Sequence, residues 1–297
     1  MVLPLRPDDV DGYWNAVDDA LAGVAPAPEL EWLPARSTEY SNVYAVRLTS
    51  IGPYRIFGYL SVPVGPGRFP GLLITPRYGS VNHLPHLDDR KRYVVFIVMH
   101  RGQRLADQPF AASYPGLLTL GIDSPDTYIY RAIIADCLRG AEFLASRPEV
   151  DTGRIGVMGD DLALITASRR TAISAATFSG LMFFRLMDAR TSSDAYPIEE
   201  VNDYLRTYPE RLDAVARTLA HFDPTVHASR VAARSLLNVG SGKRSGADWV
   251  RPLTDELGDR AELYTLSHEG GTDHDHVDAW LAGELGIAPA PRLWTVE

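Results

Sequence analysis

Short, uninterrupted apolar runs separated by helical patterns constrain the fold of this chain more than any other feature. The first two are PGLLITPRYG at residues 70–79 and YVVFIVMHRGQ at residues 93–103. Runs of this kind are typical of strands covered on both faces, as in a parallel sheet. Further strand candidates, most of them separated by helical stretches, follow at residues 154–158, 172–178, 235–239 and 261–266. The alternation predicts an α/β fold with a mostly parallel, doubly wound sheet, in one domain over residues 1–297.

Other segments predict what surrounds this sheet. VYAVRLTS and YRIFGYLSVPV are rich in β-branched and aromatic residues with turn residues between them, which favours an antiparallel pair at residues 43–64. DDVDGYWNAVDDALAG at the start and residues 127–147 have the apolar spacing of helices. Residues 181–230 hold two helical patterns and no strand pattern, so we expect a helical insertion or cap over one edge of the sheet.

Charge and cysteine usage exclude several classes of protein. The 297 residues carry a formal net charge of −9, which argues against a nucleic acid or an anionic membrane as partner. No apolar run approaches the roughly 18 residues that a bilayer requires, and the first residues lack a signal-peptide pattern. The single cysteine, Cys137, suits a reducing compartment. We therefore predict a cytoplasmic protein that acts on a small molecule.

One stretch, RIGVMGDDLALITASRR at residues 154–170, bears directly on function. It begins as a buried strand and runs through a sharp turn into a helix, which in many hydrolases is where a nucleophilic serine is held up to the substrate. The turn here is Gly159-Asp160-Asp161, and no serine stands in it.

Several segments, in order and spacing, carry a family resemblance. They are DDVDGYWNAVDDAL at the start, IFGYLSVP, HRGQ at 100–103, GIDSPDTYIYRAIIADCLRGAEFLASRPEVDTGRIGVMG, EEVNDYLRTYPERL, TLAHFDPTVHASR and HEGG at 268–271. Over nearly its whole length the chain resembles the acetyl xylan esterase and cephalosporin C deacetylase family of α/β-hydrolases. The resemblance implies an α/β-hydrolase fold, a Ser-His-Asp triad and a homo-oligomer.

The implied triad is degenerate when its positions are carried over one by one. His268, in SHEGG, falls on the family's catalytic histidine. Lys243 falls on the position of the acid, and Asp161 on that of the serine, with four residues of the family's elbow deleted after it. A conventional serine esterase is therefore not expected.

Three interpretations of Asp161 remain open at this point. It can face His268 and transfer protons or bind substrate, it can attack the substrate as a nucleophile, or it can cap the helix that follows. The leading prediction is an enzyme with Asp161 and His268 as acid and base, acting on a small organic molecule such as a specialised metabolite. The alternatives are a catalytically silent binding or scaffold protein and a hydrolase with Asp161 as nucleophile.

Four further residues are predicted to contact the substrate: Arg77, Tyr78, Asp160 and Lys243. Arg77 and Tyr78 lie where the family supplies oxyanion-hole donors; an arginine there favours an anionic substrate or is a solvated turn residue. Arg101, in HRGQ, is expected to anchor its loop.

No cofactor or metal is predicted. GSGKRSG at residues 240–246 lacks the spacing of a Walker A loop. TDHDH at residues 272–276 places His274 and His276 two apart, which turns them to different sides of a helix.

Overall fold

The computed structural model describes residues 6–79, 83–103, 105–106, 112 and 114–291. In these residues one sheet of nine strands forms the centre of the molecule, with the order β1-β2-β3-β5-β4-β6-β7-β8-β9. The strands are β1 (Glu29–Trp32), β2 (Ser41–Ser50), β3 (Tyr54–Pro63), β4 (Phe69–Ile74), β5 (Val94–Met99), β6 (Val150–Gly159), β7 (Ile173–Ser179), β8 (Arg234–Val239) and β9 (Ala261–Thr265).

Pairing within the sheet confirms the predicted fold class. The six strands from β4 to β9 pair in parallel. The first three strands, β1 to β3, form an antiparallel end of the sheet. The predicted antiparallel pair is β2 with β3, which joins Ser50 to Tyr54 and Ser41 to Pro63. β1 has no counterpart in the sequence prediction, because all four of its residues are exposed and it lacks an apolar pattern.

Helices flank the sheet and fill the segment between β7 and β8. They are α1 (Val10–Ala22), α2 (Leu87–Arg92), α3 (Ile129–Ala145), α4 (Asp161–Arg169), α5 (Leu186–Ala189), α6 (Ile198–Thr207), α7 (Leu212–Ala220), α8 (Thr225–Ala228), α9 (Ala247–Leu257) and α10 (Gly270–Glu284). Residues 181–230 are therefore helical, with four helices where the sequence suggests two. None of the helices in the described part of the chain has the length and apolar character that crossing a bilayer requires.

Both faces of the central strands are buried, which explains their continuous apolar runs. In β5, Phe96 packs in the large cluster that α1, α3 and α4 cover, and the next residue, Ile97, packs in a smaller cluster with Leu281 of α10. Because successive side chains point to opposite faces, a strand between two layers of helices needs apolar residues at every position. The carboxyl ends of the parallel strands face one edge, where doubly wound sheets bind ligands.

Candidate active site

The turn from β6 into α4 is tight because Gly159 has no side chain. A Cβ atom at this position would lie 2.0 Å from Oγ1 of Thr75, in the segment after β4. The next residue, Asp160, has a φ of −103°, and Asp161 is the first residue of α4. Neither aspartate adopts a left-handed backbone conformation, so the strained geometry that presents a nucleophile above an elbow is absent from these two residues.

Asp160 caps helix α4 from a buried position. Its Oδ1 accepts a hydrogen bond from the amide of Leu162 at 3.0 Å, as an N-cap residue does. Burial raises the pKa of Asp160 to about 6, although the Leu162 amide and the charge of Arg77 act in the opposite direction. Asp160 was predicted to contact the substrate, but it is not among the residues that line the cavity described below. Its observed contact is the helix-cap bond to Leu162.

Asp161 is buried and turned towards the chain that follows β7. Its carboxylate accepts hydrogen bonds from the amides of Met182 at 2.5 Å and Phe183 at 3.1 Å. Burial, and then the neighbouring Asp160, raise the pKa of Asp161 well above its usual range. The carboxylate at the predicted nucleophile position thus fastens the segment after β7 to the start of α4.

His268 lies in the loop between β9 and α10, and it is exposed. Its backbone is left-handed, with a φ of +64°, and its amide donates to Oδ2 of Asp273 at 3.1 Å. Across the described ranges, no hydrogen bond or ion pair joins the His268 ring to Asp161. The predicted acid–base pair thus gains no contact between its two side chains from these residues: backbone amides hold the Asp161 carboxylate, and His268 is exposed.

A cavity of about 650 Å³ opens at the carboxyl ends of the strands. It lies over β4, β6, β7 and β8 and against the start of α10. Its lining residues are Ile74, Thr75, Arg77, Met158, Gly159, Thr177, Ser179, Gly180, Asn238, Leu266, Gly270, Asp273, His274 and Val277. Of the six residues predicted for the site, Arg77 alone is among them.

His274, in the first turns of α10, supplies an imidazole to the cavity wall. Its Nδ1 lies 3.2 Å from Oδ1 of Asp275, and its side chain is 28% exposed. From the sequence, His274 was weighed only as a metal ligand. The signal that could have identified it is the Asp-His-Asp run at residues 273–275, at the start of the helix that follows the last strand. His276 is turned away from His274 and stacks on the ring of Tyr264 at 3.8 Å.

Asp273 holds the loop that carries His268. Its Oδ1 accepts from the hydroxyl of Tyr264 and from the amide and hydroxyl of Ser267. Burial opposes ionisation, but the bonds from Ser267, Tyr264 and the His268 amide hold the pKa of Asp273 below its usual range. The carboxylate is thus ionised and already occupied by donors of its own loop.

Arg77 and Ser179 bridge the cavity. Nη2 of Arg77, after β4, donates to Oγ of Ser179 at the end of β7, at 2.7 Å. Since β6 lies between β4 and β7, this hydrogen bond crosses the end of β6.

Tyr78 and Lys243 lie outside this cavity. The hydroxyl of Tyr78 donates to the carboxylate of Glu200 in α6 and accepts from Tyr196 at 3.1 Å. Burial, followed by the bond to Glu200, raises the pKa of Tyr78. Lys243 is exposed in the loop between β8 and α9. Both residues follow the carboxyl ends of parallel strands, but neither is among the residues that line the cavity.

Metal binding receives no structural support from the part of the chain that the structure describes. No group of three or more His, Cys, Asp or Glu side chains within it is arranged to hold a metal ion. Cys137 is buried in α3, and burial raises the pKa of its thiol well above the usual range, so it is not an activated nucleophile.

Comparisons with known proteins agree with the fold and the segment order. The model of the acetyl xylan esterase (AXE1) family matches residues 4–244. Acetyl xylan esterase 1 from Thermoanaerobacterium sp. JW/SL YS485 superposes with a TM-score of 0.81 at 22% identity, over 94% of both chains. The acetyl xylan esterase from Paenibacillus sp. R4 does so with a TM-score of 0.83 at 23% identity, over 97% of both chains.

A curated relative is similar over a shorter region. The acetyl esterase Axe7A of Xylanibacter ruminicola is 24% identical over 186 residues, which are 57% of this chain. The matched region spans 42% of that esterase's own length.

Proposed function

Because this chain belongs to the acetyl xylan esterase family and has an α/β-hydrolase fold, we propose that it hydrolyses acylated small molecules with His274 as general base, without a serine nucleophile at the elbow. In this proposal the base is His274 and not His268, the histidine predicted from the sequence. The observation that carries the proposal is the His274–Asp275 contact in the wall of the cavity.

A carboxylate at Nδ1 orients an imidazole and stabilises its protonated form, as in other hydrolases. With Nδ1 of His274 held by Asp275, Nε2 is the ring nitrogen left to act as the base in this proposal. A base in this position accelerates proton transfer by about 10²–10⁴-fold.

The proposed reaction is a direct attack by water. Nε2 of His274 takes one proton from the water molecule, and the water oxygen forms a bond to the acyl carbon. The ester C–O bond then breaks, and the leaving oxygen takes the proton from the imidazolium. The products are a carboxylic acid and an alcohol, and the protein forms no covalent bond to the acyl group.

The elbow aspartates support this choice over an aspartate nucleophile. Asp161 is 1% exposed and accepts two backbone amides, and Asp160 accepts a third. A nucleophile must reach the substrate with a lone pair, and both carboxylates are turned into the protein.

Turnover of 4-nitrophenyl acetate by matched histidine variants tests the proposal. We expect His274→Gln to lower the rate about 100-fold or more, since general-base catalysis contributes on that scale. His276→Gln is the control and should retain the rate of the unaltered protein, because His276 stacks on Tyr264 outside the cavity lining. Intact-mass spectrometry should detect no acylated protein during turnover, and a fluorophosphonate should not label the chain.

Two results would contradict the proposal. Equal rates for His274→Gln and the unaltered protein would favour a binding protein without catalytic activity. Fluorophosphonate labelling that Ser179→Ala or Ser80→Ala abolishes would identify a serine nucleophile; Ser80 lies outside the described residues.

Three broader expectations stay predictions. They are a single domain over residues 1–297, a cytoplasmic location and a homo-oligomeric state. Light scattering at micromolar concentration measures the last of these directly.

A further inference from the structure

We infer that Asn238 binds the carbonyl oxygen of the ligand in the 650 Å³ cavity and stabilises the negative charge that this oxygen gains when water attacks. The inference rests on the proposed function for the hydrolytic step, whereas binding of a carbonyl group is argued from the cavity itself. The ligand class is therefore a small carbonyl compound, which is an ester when the protein turns it over.

The cavity lies between one face of the sheet and helix α10. Thr177 and Ser179 are two residues apart in β7 and point to the same face, and Asn238 of β8 is the register partner of Ser179. The wall across from the sheet is formed by residues at the spacing of one helix face: Gly270, Asp273, His274 and Val277. Asn238 and the proposed base His274 thus belong to facing walls of one cavity.

Asn238 carries a buried amide whose oxygen the described part of the fold does not use. The residue is 9% exposed, and its Oδ1 is enclosed without a hydrogen bond from any described residue. Since Oδ1 is enclosed, Nδ2 is the polar atom of this side chain that can reach the cavity. An amide nitrogen is a donor with two N–H groups, so it pairs with an oxygen of the ligand. Buried polar groups normally have partners, and an exception points to a role in function.

Two other donors near the carboxyl ends of the strands are already occupied. The amide and the hydroxyl of Thr75 both donate to the carbonyl oxygen of Met158, at 3.0 and 3.3 Å. The amide of Leu162, at the start of α4, donates to Asp160 at 3.0 Å. Asn238 differs from Thr75 and Leu162 because no contact of this kind holds its amide.

The proposed reaction places negative charge on the oxygen that Asn238 binds. When water attacks the acyl carbon, the π electron pair of the C=O bond moves onto the oxygen, and it returns when the ester C–O bond breaks. A fixed donor stabilises this charge most strongly where water is excluded. Four apolar residues line the same cavity and exclude water from a bound ester: Ile74, Met158, Leu266 and Val277.

Asn238→Leu tests the inference because leucine keeps the size of the side chain and removes the donor. With 4-nitrophenyl acetate we expect kcat to fall about 10²–10³-fold, as it does when one oxyanion donor is removed from other hydrolases, and KM to change little. The melting temperature should equal or exceed that of the unaltered protein, because the variant no longer buries an unpaired amide oxygen. A residue that supports the fold would show the opposite change in stability.

Two probes of similar shape measure carbonyl binding without turnover. Acetophenone has a C=O group where ethylbenzene has a CH₂ group, and ligand-observed NMR titration gives the affinity of each. Asn238→Leu should weaken acetophenone about two- to tenfold, the loss of one hydrogen bond, and should not weaken ethylbenzene. Asn42→Leu is the matched control, since Asn42 lies in β2 at the antiparallel end of the sheet and outside the cavity lining. It should retain kcat and both affinities.

The outcomes separate this inference from the proposed function. Unchanged acetophenone affinity in Asn238→Leu, equal weakening of both probes, or no acetophenone binding to the unaltered protein would overturn the inference. Hydrolysis that is lost in His274→Gln and kept in Asn238→Leu would overturn the charge-stabilising role of Asn238 and leave the proposed function intact. Selective weakening of acetophenone in a protein that hydrolyses no ester would support the carbonyl site and contradict the proposed function.

Discussion

At the scale of single residues, the two aspartates of the elbow show how burial determines a carboxylate's role. Each lies in the protein interior, and each accepts hydrogen bonds from backbone amides there. Burial disfavours the charged form, and two adjacent carboxylates disfavour it further. The pKa of both residues is raised for this reason. Their ionisation therefore opposes folding.

The Asp160→Asn variant should be more stable than the unaltered protein at pH 7. Asparagine also caps helices, so the bond to the Leu162 amide is retained while the buried charge is removed. The pKa of Asp160 rises from an ordinary 3.8 to about 6. The folded state thus binds more protons than the unfolded chain between these values, and stability falls as the pH rises through this window. We expect a gain of about 1–3 kcal/mol at pH 7.

Urea unfolding between pH 4 and pH 7 measures this effect. The difference between Asp160→Asn and the unaltered protein should be small near pH 4 and should grow towards pH 7. The exposed Asp248→Asn is the matched control and should follow the profile of the unaltered protein. A constant difference at all pH values would show that Asp160 does not titrate in this range.

At the scale of elements, the β6–α4 connection depends on the close approach of two strand ends. Gly159 at the end of β6 and Thr75 after β4 are adjacent because the two strands pair in parallel. The amide of Thr75 donates to the carbonyl oxygen of Met158 at 3.0 Å. The start of α4 is thereby fixed against the sheet.

The Gly159→Ala variant should destabilise the fold. Its Cβ would overlap Oγ1 of Thr75, and relieving such overpacking costs about 1–3 kcal/mol. Gly12→Ala in α1 is the contrasting substitution, because no atom lies within 4 Å of its Cβ position. Alanine in a helix stabilises by about 0.5–1 kcal/mol relative to glycine. Thermal unfolding of both variants should show shifts of opposite sign; two shifts of the same sign would contradict the packing argument.

At the scale of the whole molecule, Arg101 joins three parts of the fold. It follows β5, pairs with Asp136 in α3 through its Nε and Nη2, and donates to the carbonyl oxygen of Ile51 in the β2–β3 turn. Arg101 and Asp136 are both buried, at 9% and 0% exposure. This agrees with the expectation that Arg101 anchors its loop.

Removing the charge of Asp136 should weaken the fold more than any loss of an exposed pair. Asp136→Asn leaves Arg101 as an uncompensated buried cation, which costs about 3–5 kcal/mol. Asp123→Asn removes a partner of Arg211 in an exposed pair, and such pairs contribute little. Chemical denaturation should therefore separate the two variants clearly. Similar stabilities for both would show that solvent reaches the Arg101–Asp136 pair.

The architecture and the family follow from patterns within single segments of the chain. Continuous apolar runs such as that of β5 require a strand covered on both faces, and their alternation with helices requires a parallel sheet. The lack of a serine in Gly159-Asp160-Asp161 was also visible there. These features are local, because the pattern within each segment determines them.

Which side chains meet depends on how the segments pack in the folded chain. The Asp161 carboxylate is bound by amides of the segment after β7, and the His268 amide is bound by Asp273, contacts that come from distant or neighbouring segments of the folded chain. Arg77 and Ser179 are 102 residues apart in sequence and meet because β4 and β7 flank β6. Contacts of this kind follow from strand order and from the backbone path of loops. Strand order and loop path leave no periodic pattern in the sequence. For this reason the residues of the candidate site cannot be recognised from the sequence pattern of any one segment.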